Sequence, residues 1–266
     1  FNHLNIYMLK TRVIPCMLFN GFHLVKTIMF GNARNLGNAV QMAKVYNARD
    51  VDELIFIDIM ATTEKRPPIF ETIRGIIAEC FMPLTIGGGI HSIEDIDTLL
   101  KIGADKVCLN SEAVTNPQFI AAAARRFGSQ CLVISIDVKK VGEEYFVFKS
   151  RGTENTRKRA TQFAKEVEES GAGEIFLTSI DKDGTMDGYD LDLLKEVTLS
   201  VSLPVIACGG AGKVQDIIDA VKTGGADAVS LASMFHYSGH TINSIKERMK
   251  NAGIPVRLLQ KNEKLY

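Results

Sequence analysis

The 266-residue chain carries no net formal charge, with 31 Lys and Arg against 31 Asp and Glu. A balanced surface has no electrostatic footprint for nucleic acid or an anionic membrane, so neither is expected as a partner. No stretch approaches 18 consecutive apolar residues, and no transmembrane helix is expected. Residues 1–7 lack the basic region and long apolar run of a signal peptide, and they read as an N-terminal tail, an extension ahead of Met8. Cysteine is sparse and odd in number: Cys16, Cys80, Cys108, Cys131 and Cys208, four of them in apolar, strand-like runs. That excludes a disulfide framework or a Cys-x-x-Cys metal site as a first expectation and favours a reducing cytoplasm. The five histidines form no His-x-x-x-His or His/Cys pattern, so no metal site is expected. No Cys has an obvious activating neighbour, and no Pro/Gly/Ser-rich linker divides the chain.

What is present is apolar sequence, 46% of the residues, in short runs separated by longer amphipathic segments. The strand candidates are Arg12–Leu18, Glu53–Ile59, Pro83–Ile86, Lys106–Asn110, Cys131–Asp137, Glu174–Ser179, Pro204–Cys208 and Ala228–Ala232. They are continuous apolar runs rather than alternating ones, as parallel strands covered on both faces require. Helices are expected over 36–48, 68–81, 92–102, 116–127, 157–170, 190–201, 213–223 and 241–251. Ser92 followed by Glu94 and Asp95, and proline at position 117, supply start signals. Phe22–Phe30 and Glu143–Ser150 suggest small hairpins. Eight strands alternating with eight helices predict an α/β fold, a (β/α)8 TIM barrel, as a single domain over 8–258 with a C-terminal tail at 259–266.

An internal repeat supports the barrel. Pro83 to Gly89 parallels Pro204 to Gly210, and Glu53-Leu54-Ile55-Phe56 parallels Glu174-Ile175-Phe176-Leu177, both at a shift of 121 residues. Gly103-Ala104-Asp105 parallels Gly225-Ala226-Asp227 after one inserted glycine. A period near half the chain implies two duplicated half-barrels fused into one.

Three constellations carry the candidate chemistry. Gly88-Gly89 with Asn110-Ser111, and Gly209-Gly210 with Ala232-Ser233, are symmetry-related candidates for phosphate binding. Glycine allows a backbone to approach an anion closely, and the loops after strands seven and eight are the usual phosphate site of such barrels. The same glycines also suit tight strand-to-helix turns. Asp58, Asp137 and Asp183 end strands or follow them at the barrel mouth, where a carboxylate can move protons, hold a hydroxyl or shape a loop. Arg12, Glu53, Lys106 and Glu174 each begin a strand, and their alternating signs suggest a salt-bridged ring at the opposite end. On residue chemistry alone that ring is structural.

The sequence resembles the cyclase subunits of imidazole glycerol phosphate synthases from Met8 to about Leu258. The resemblance lies in Arg12-Val13-Ile14-Pro15-Cys16, Ile86-Gly87-Gly88-Gly89-Ile90-His91, Gly103-Ala104-Asp105-Lys106-Val107, Phe127-Gly128-Ser129-Gln130, Leu177 to Thr185, and Gly209-Gly210-Ala211-Gly212-Lys213. It implies a glutaminase subunit docked at the barrel bottom as a heterodimer partner, no cofactor, and ammonia passing through the barrel to a phosphorylated small-molecule substrate. Arg12, Glu53, Lys106 and Glu174 then match an ammonia gate, and Asp105 matches a docking contact. Lys26, Asp58, Thr178 and Asp183 fall at substrate-contacting positions, and Asp137 at one of two catalytic aspartates.

The other catalytic position is occupied by Leu18, within Cys16-Met17-Leu18-Phe19-Asn20-Gly21. Leucine moves no proton, and losing one member of an acid/base pair typically costs roughly 10²–10⁴ in rate. An intact gate with an altered reaction centre resembles the cyclase-like paralogues of surface-polysaccharide clusters, which supply ammonia, with a separate amidotransferase, for amidino-sugar formation. The alternatives are a genuine cyclase of histidine biosynthesis and a non-catalytic scaffold that activates a glutaminase.

Overall fold

The computed structural model describes residues 9–232 and 241–258. The segments expected as tails, and Ser233, lie outside the described residues. In chain order the elements begin with β1 (Arg12–Phe19), β2 (Leu24–Lys26), β3 (Arg34–Gly37), α1 (Ala39–Ala48), β4 (Leu54–Asp58), α2 (Phe70–Ile77), β5 (Leu84–Gly87) and α3 (Ile93–Ile102). They continue with β6 (Lys106–Leu109), α4 (Ser111–Thr115), α5 (Pro117–Phe127), β7 (Leu132–Val141), β8 (Glu144–Lys149), β9 (Glu154–Arg159) and α6 (Ala160–Glu169). The last are β10 (Glu174–Ser179), α7 (Leu191–Thr198), β11 (Val205–Cys208), α8 (Val214–Lys222), β12 (Ala228–Leu231) and α9 (Ile242–Asn251). Strands β1, β4, β5, β6, β7, β10, β11 and β12 are parallel neighbours in that order, and β12 returns to pair with β1. The sheet is therefore closed, and the fold is the (β/α)8 TIM barrel the apolar runs predict.

Pleating sorts the runs between two cores. Val13, Leu54, Val107, Leu132, Ile175 and Val205 pack outward under the helices. Their neighbours Ile14, Ile55, Cys108, Val133, Phe176 and Ile206 fill a separate interior cluster inside the barrel. Each run must be apolar on both faces, which is why no alternation shows in the sequence.

The halves repeat in atomic detail. The Leu54 amide donates to the Pro83 carbonyl as the Ile175 amide does to Pro204, at 2.9 Å in both cases. Asp95 Oδ2 accepts the consecutive amides of His91 and Ser92, and Asp216 Oδ2 accepts those of Gly212 and Lys213. Asp105 receives the Leu84 amide at 2.8 Å, and Asp227 the Val205 amide at 2.9 Å. These are side-chain braces at the starts of β5 and β11, symmetry mates across the duplication.

The additions to the repeat lie at the barrel mouth. β2 pairs antiparallel with β1 and with β3, while β7 runs on into an antiparallel extension with β8 and β9. The hairpins expected at Phe22–Phe30 and Glu143–Ser150 are thus parts of longer flaps. The helix expected from 157 starts at Ala160, because residues 154–159 form an edge strand. Glu154–Arg159 has no buried residue and four charged ones, a composition that guards an exposed edge and hides its strand character. For the same reason of a preceding strand, the first helix begins at Ala39 rather than 36, capped by Asn38. The short α4 was not expected.

The two braces should be equivalent energetically. Asp105→Ala and Asp227→Ala are each expected to lower stability by about 1 kcal/mol, the usual loss for one such hydrogen bond. Urea denaturation of the two single variants and the double variant checks this, with additivity expected for sites that share no partner.

Candidate active site

At the C-terminal mouth, a cavity of about 130 Å³ opens among the ends of the parallel strands. Its wall brings together Leu18, Asp58, Gly88, Gly89, Asn110, Ser111, Asp137, Thr178, Asp183 and Ala232. Lys26 borders an adjoining smaller recess shared by Leu18, Thr27, Asp183 and Ala232. Gly209 and Gly210 do not line the cavity, although Gly209 packs against the Ser179 carbonyl and the Asp183 backbone. Gly88 and Gly209, at φ +99° and +94°, are equivalents in the two halves. A Cβ on Gly88 would strike the Asp58 carbonyl, and one on Gly209 the Ser179 carbonyl, so close backbone approach requires glycine at both places.

Asp137 is the carboxyl best placed for proton transfer. Ser135 Oγ donates to its Oδ1 at 3.1 Å and Asn110 Nδ2 to its Oδ2 at 3.2 Å. Burial pushes its pKa up to about 7; the Ser135 hydroxyl offsets part of this rise, and the charge of Asp183 adds to it. A carboxyl balanced near neutrality can both accept and release a proton at physiological pH. Asn110 thus serves Asp137 with its side-chain amide. Across the cavity wall, burial also raises Asp183, against the Thr27 hydroxyl bond at 2.9 Å, the Phe30 amide and the charge of Lys26.

Asp58 is spoken for. Arg66 holds it bidentately, Nη1 to Oδ2 at 2.6 Å and Nη2 to Oδ1 at 2.9 Å, and the amides of Met60 and Ala61 donate to Oδ1 as well. With its acceptor sites so occupied, Asp58 organises the loop after β4 and is a poor candidate for a proton carrier. Arg66 was not singled out from the sequence, nor were the cavity-lining residues Thr27, Ser135 and Arg151. Ser135 could have been found, since it lies two residues before Asp137 on the same strand and shares its face. Leu18 enters the cavity without a polar group. Burial raises Cys16, Cys108 and Cys208, the last to about 12, so these interior thiols stay protonated. Among the described residues, no group of three His, Cys, Asp or Glu is arranged to hold a metal ion.

The opposite end of the barrel is closed by charge. Arg12 Nη1 donates to Glu53 Oε2 at 2.6 Å, and its Nη2 pairs with Glu174. Lys106 Nζ meets Glu53 at 2.9 Å and Glu174 at 3.0 Å, and Thr85 donates to Glu53 at 3.0 Å. Burial works against the Arg12 charge, but the bonds and attraction of both carboxylates outweigh it and raise its pKa. The glutamate side chains are only 3% and 8% exposed, against 28% and 21% for Arg12 and Lys106, so the two cations cover a buried carboxylate pair. Asp105 lies beside this floor, exposed, with one carboxylate oxygen on the Leu84 amide.

A closed parallel barrel with a carboxyl-lined cavity and glycine loops at its C-terminal mouth defines a (β/α)8-barrel enzyme. A family profile described as histidine biosynthesis protein matches residues 12–241, and the chain belongs to that family. It is 46% identical over 250 residues to a protein of Hyphomonas neptunium named imidazole glycerol phosphate synthase subunit HisF, covering 94% of this chain and 99% of the relative. Proteins of the same name from two strains of Dehalococcoides mccartyi are 46% identical over 251 residues, at the same coverage. No described helix is long and apolar enough to cross a membrane.

The Asp137 carboxyl makes a pH-dependent prediction. Its folded pKa lies above the ordinary carboxyl value, so between about pH 4 and pH 7 the folded state binds more protons than the unfolded, and stability falls as pH rises through that window. Asp137→Asn removes this loss. It is expected to be more stable than the parent by about 1–3 kcal/mol at pH 8 and nearly equal to it at pH 4. Chemical denaturation at the two pH values checks the difference.

Proposed function

We propose that this chain is the ammonia-using subunit of a glutamine amidotransferase complex, taking ammonia through its floor from a glutaminase and using it on a phosphorylated acceptor at its mouth. One observation carries the reading: a charged ring closes the floor, and an apolar interior of Ile14, Ile55, Val133, Phe176 and Ile206 connects it to the polar cavity. Neutral ammonia suits such a passage, whereas a bare ammonium ion would bear the cost of entering an apolar interior unpaired. Arg12, Glu53, Lys106 and Glu174 act as the gate. Asp105 offers the partner an exposed carboxylate. Gly88-Gly89 with Asn110-Ser111 and Gly209-Gly210 with Ala232-Ser233 hold the two phosphates. Asp137 moves the proton, and Lys26, Thr178 and Asp183 position the acceptor, while Asp58, held by Arg66, shapes the loop beside them. No cofactor is needed.

The names of the relatives favour imidazole formation in histidine biosynthesis as the reaction, with a lyase-cyclase step. A second reading is favoured by Leu18, an apolar side chain in the cavity wall. In that reading the acceptor is different, as in the amidino-sugar paralogues of surface-polysaccharide synthesis with their separate amidotransferase.

Ammonium salts in place of the glutaminase, with the aminoimidazole-carboxamide bisphosphate substrate, separate the two. Imidazole product at a rate that Asp137→Asn lowers by roughly 10²–10⁴ is expected on the first reading. An inert parent chain whose Leu18→Asp variant gains a comparable factor supports the second; inertness of both leaves a rebuilt pocket or a scaffold. The glutaminase partnership has its own check. Charge reversal at Asp105 or Lys106 is expected to weaken binding of a glutaminase subunit in calorimetry, and a chain that binds no glutaminase would sink the ammonia route.

A further inference from the structure

We propose that Arg151 is the cationic ligand of a phosphate monoester held at the first glycine loop, reaching across the mouth from the turn between β8 and β9. The inference rests on the reading of Gly88-Gly89 and Asn110-Ser111 as a phosphate site and adds the charge that those neutral groups lack.

Arg151 is the one Lys or Arg among the described residues lining the cavity, which it shares with Glu112, Asp137 and Asp183. No described carboxylate forms an ion pair with it. Its side-chain contact is Nη1 with Met60 Sδ at 3.1 Å, and a thioether is a weak acceptor that an anion readily displaces. Arg66, the neighbouring guanidinium, is by contrast neutralised by Asp58 and Glu64. The sulfur contact also fixes where Arg151 stands. Met60 donates its amide to Asp58 Oδ1 at 3.1 Å; Gly88 packs on the Asp58 carbonyl and Gly89 on Ala61. The guanidinium therefore lies on the segment that walls the first glycine loop.

The turn that presents it is strained and braced. Ser150 and Arg151 are both in the left-handed region, at φ +52° and +58°, which L side chains avoid. Lys139 Nζ holds the Gly152 carbonyl at 2.9 Å, and Thr153 Oγ1 donates to the Ser150 carbonyl at 2.6 Å. Gly152 packs closely on Ile180 and Phe30, where a side chain would crowd both. A costly backbone conformation kept by this many contacts orients the side chain before any ligand arrives. Arginine's fork of donors suits the oxygens of a phosphate.

Titration of the full chain with ribose 5-phosphate, followed by amide resonances, tests the assignment. Saturable shifts are expected at Gly88 and Gly89 in the parent chain. Arg151→Met is expected to weaken binding at those two amides roughly tenfold or more, with Arg151→Lys intermediate. Shifts at Gly209 and Gly210 should keep their affinity in every variant, which also certifies the fold. Unchanged affinity at Gly88 and Gly89 in Arg151→Met would overturn the role of Arg151 while the phosphate site stands. An equal loss at both loops would overturn it too, as a general effect of charge. No shift at either loop in the parent chain would reject the phosphate reading itself, and the proposal with it.

Discussion

Everything in this molecule depends on the two-residue pleat of a sheet that closes on itself. Once β12 pairs with β1, alternate residues of each parallel strand must point into the enclosed space of the barrel. Reading inward positions along β1 gives a charge at Arg12, then Ile14 and Cys16 in the apolar middle, then Leu18 in the cavity wall. On β10 the same series runs Glu174, Phe176, Thr178. Polar floor, apolar middle and polar mouth are three successive levels of one register. A slip of one residue on any strand would exchange the barrel lining for the helix-packing face.

That register explains how much of the fold was legible. Each barrel strand had to be apolar on both faces, so the runs stood out, and the four floor charges stood out as polar residues at strand starts. The repeat was visible because both halves reuse the same brace at Asp105 and Asp227. Legibility failed where no core constrains the chain. The strand at Glu154–Arg159 buries no residue, and its half-covered face is Thr156 and Lys158, so it has no hydrophobic period and its residues resembled the start of a helix. Arg66 and Arg151 were overlooked for a related reason. The approach of Arg66 to Asp58 and of Arg151 to the cavity depends on loop conformation, which leaves no periodic trace.

The mouth is built from asymmetric partners set into symmetric backbones. Gly88 and Gly209 repeat the same approach of glycine to a preceding strand end, yet the residue beneath is Asp58 in one half and Ser179 in the other. Only the former draws a guanidinium. Asp137 likewise has Ser135 and Asn110 to hold it, while the strand-one position across the cavity offers only the Leu18 hydrocarbon. The two halves thus share a frame but differ in the polar groups set into it at Asp58 and Asp137. Burial then does the electrostatic tuning: the desolvation that leaves interior thiols inert also brings the Asp137 carboxyl close to neutral titration.

The seam where β12 meets β1 bears on how the chain is made. Thr11 donates to the Pro255 carbonyl at 2.7 Å, and the buried Lys246 of α9 meets Asp52 at 2.6 Å, so the ends of the chain are stitched together near the floor. The first of these contacts spans almost the full length of the chain, and the second spans 194 residues. While a ribosome is still adding residues, the edge of β1 over Arg12–Pro15, which β12 takes in the closed barrel, is therefore unpaired, although β2 already covers Leu18 and Phe19. The last (β/α) unit acts as a keystone in time as well as in space: the nascent barrel is open to mispairing until that strand emerges.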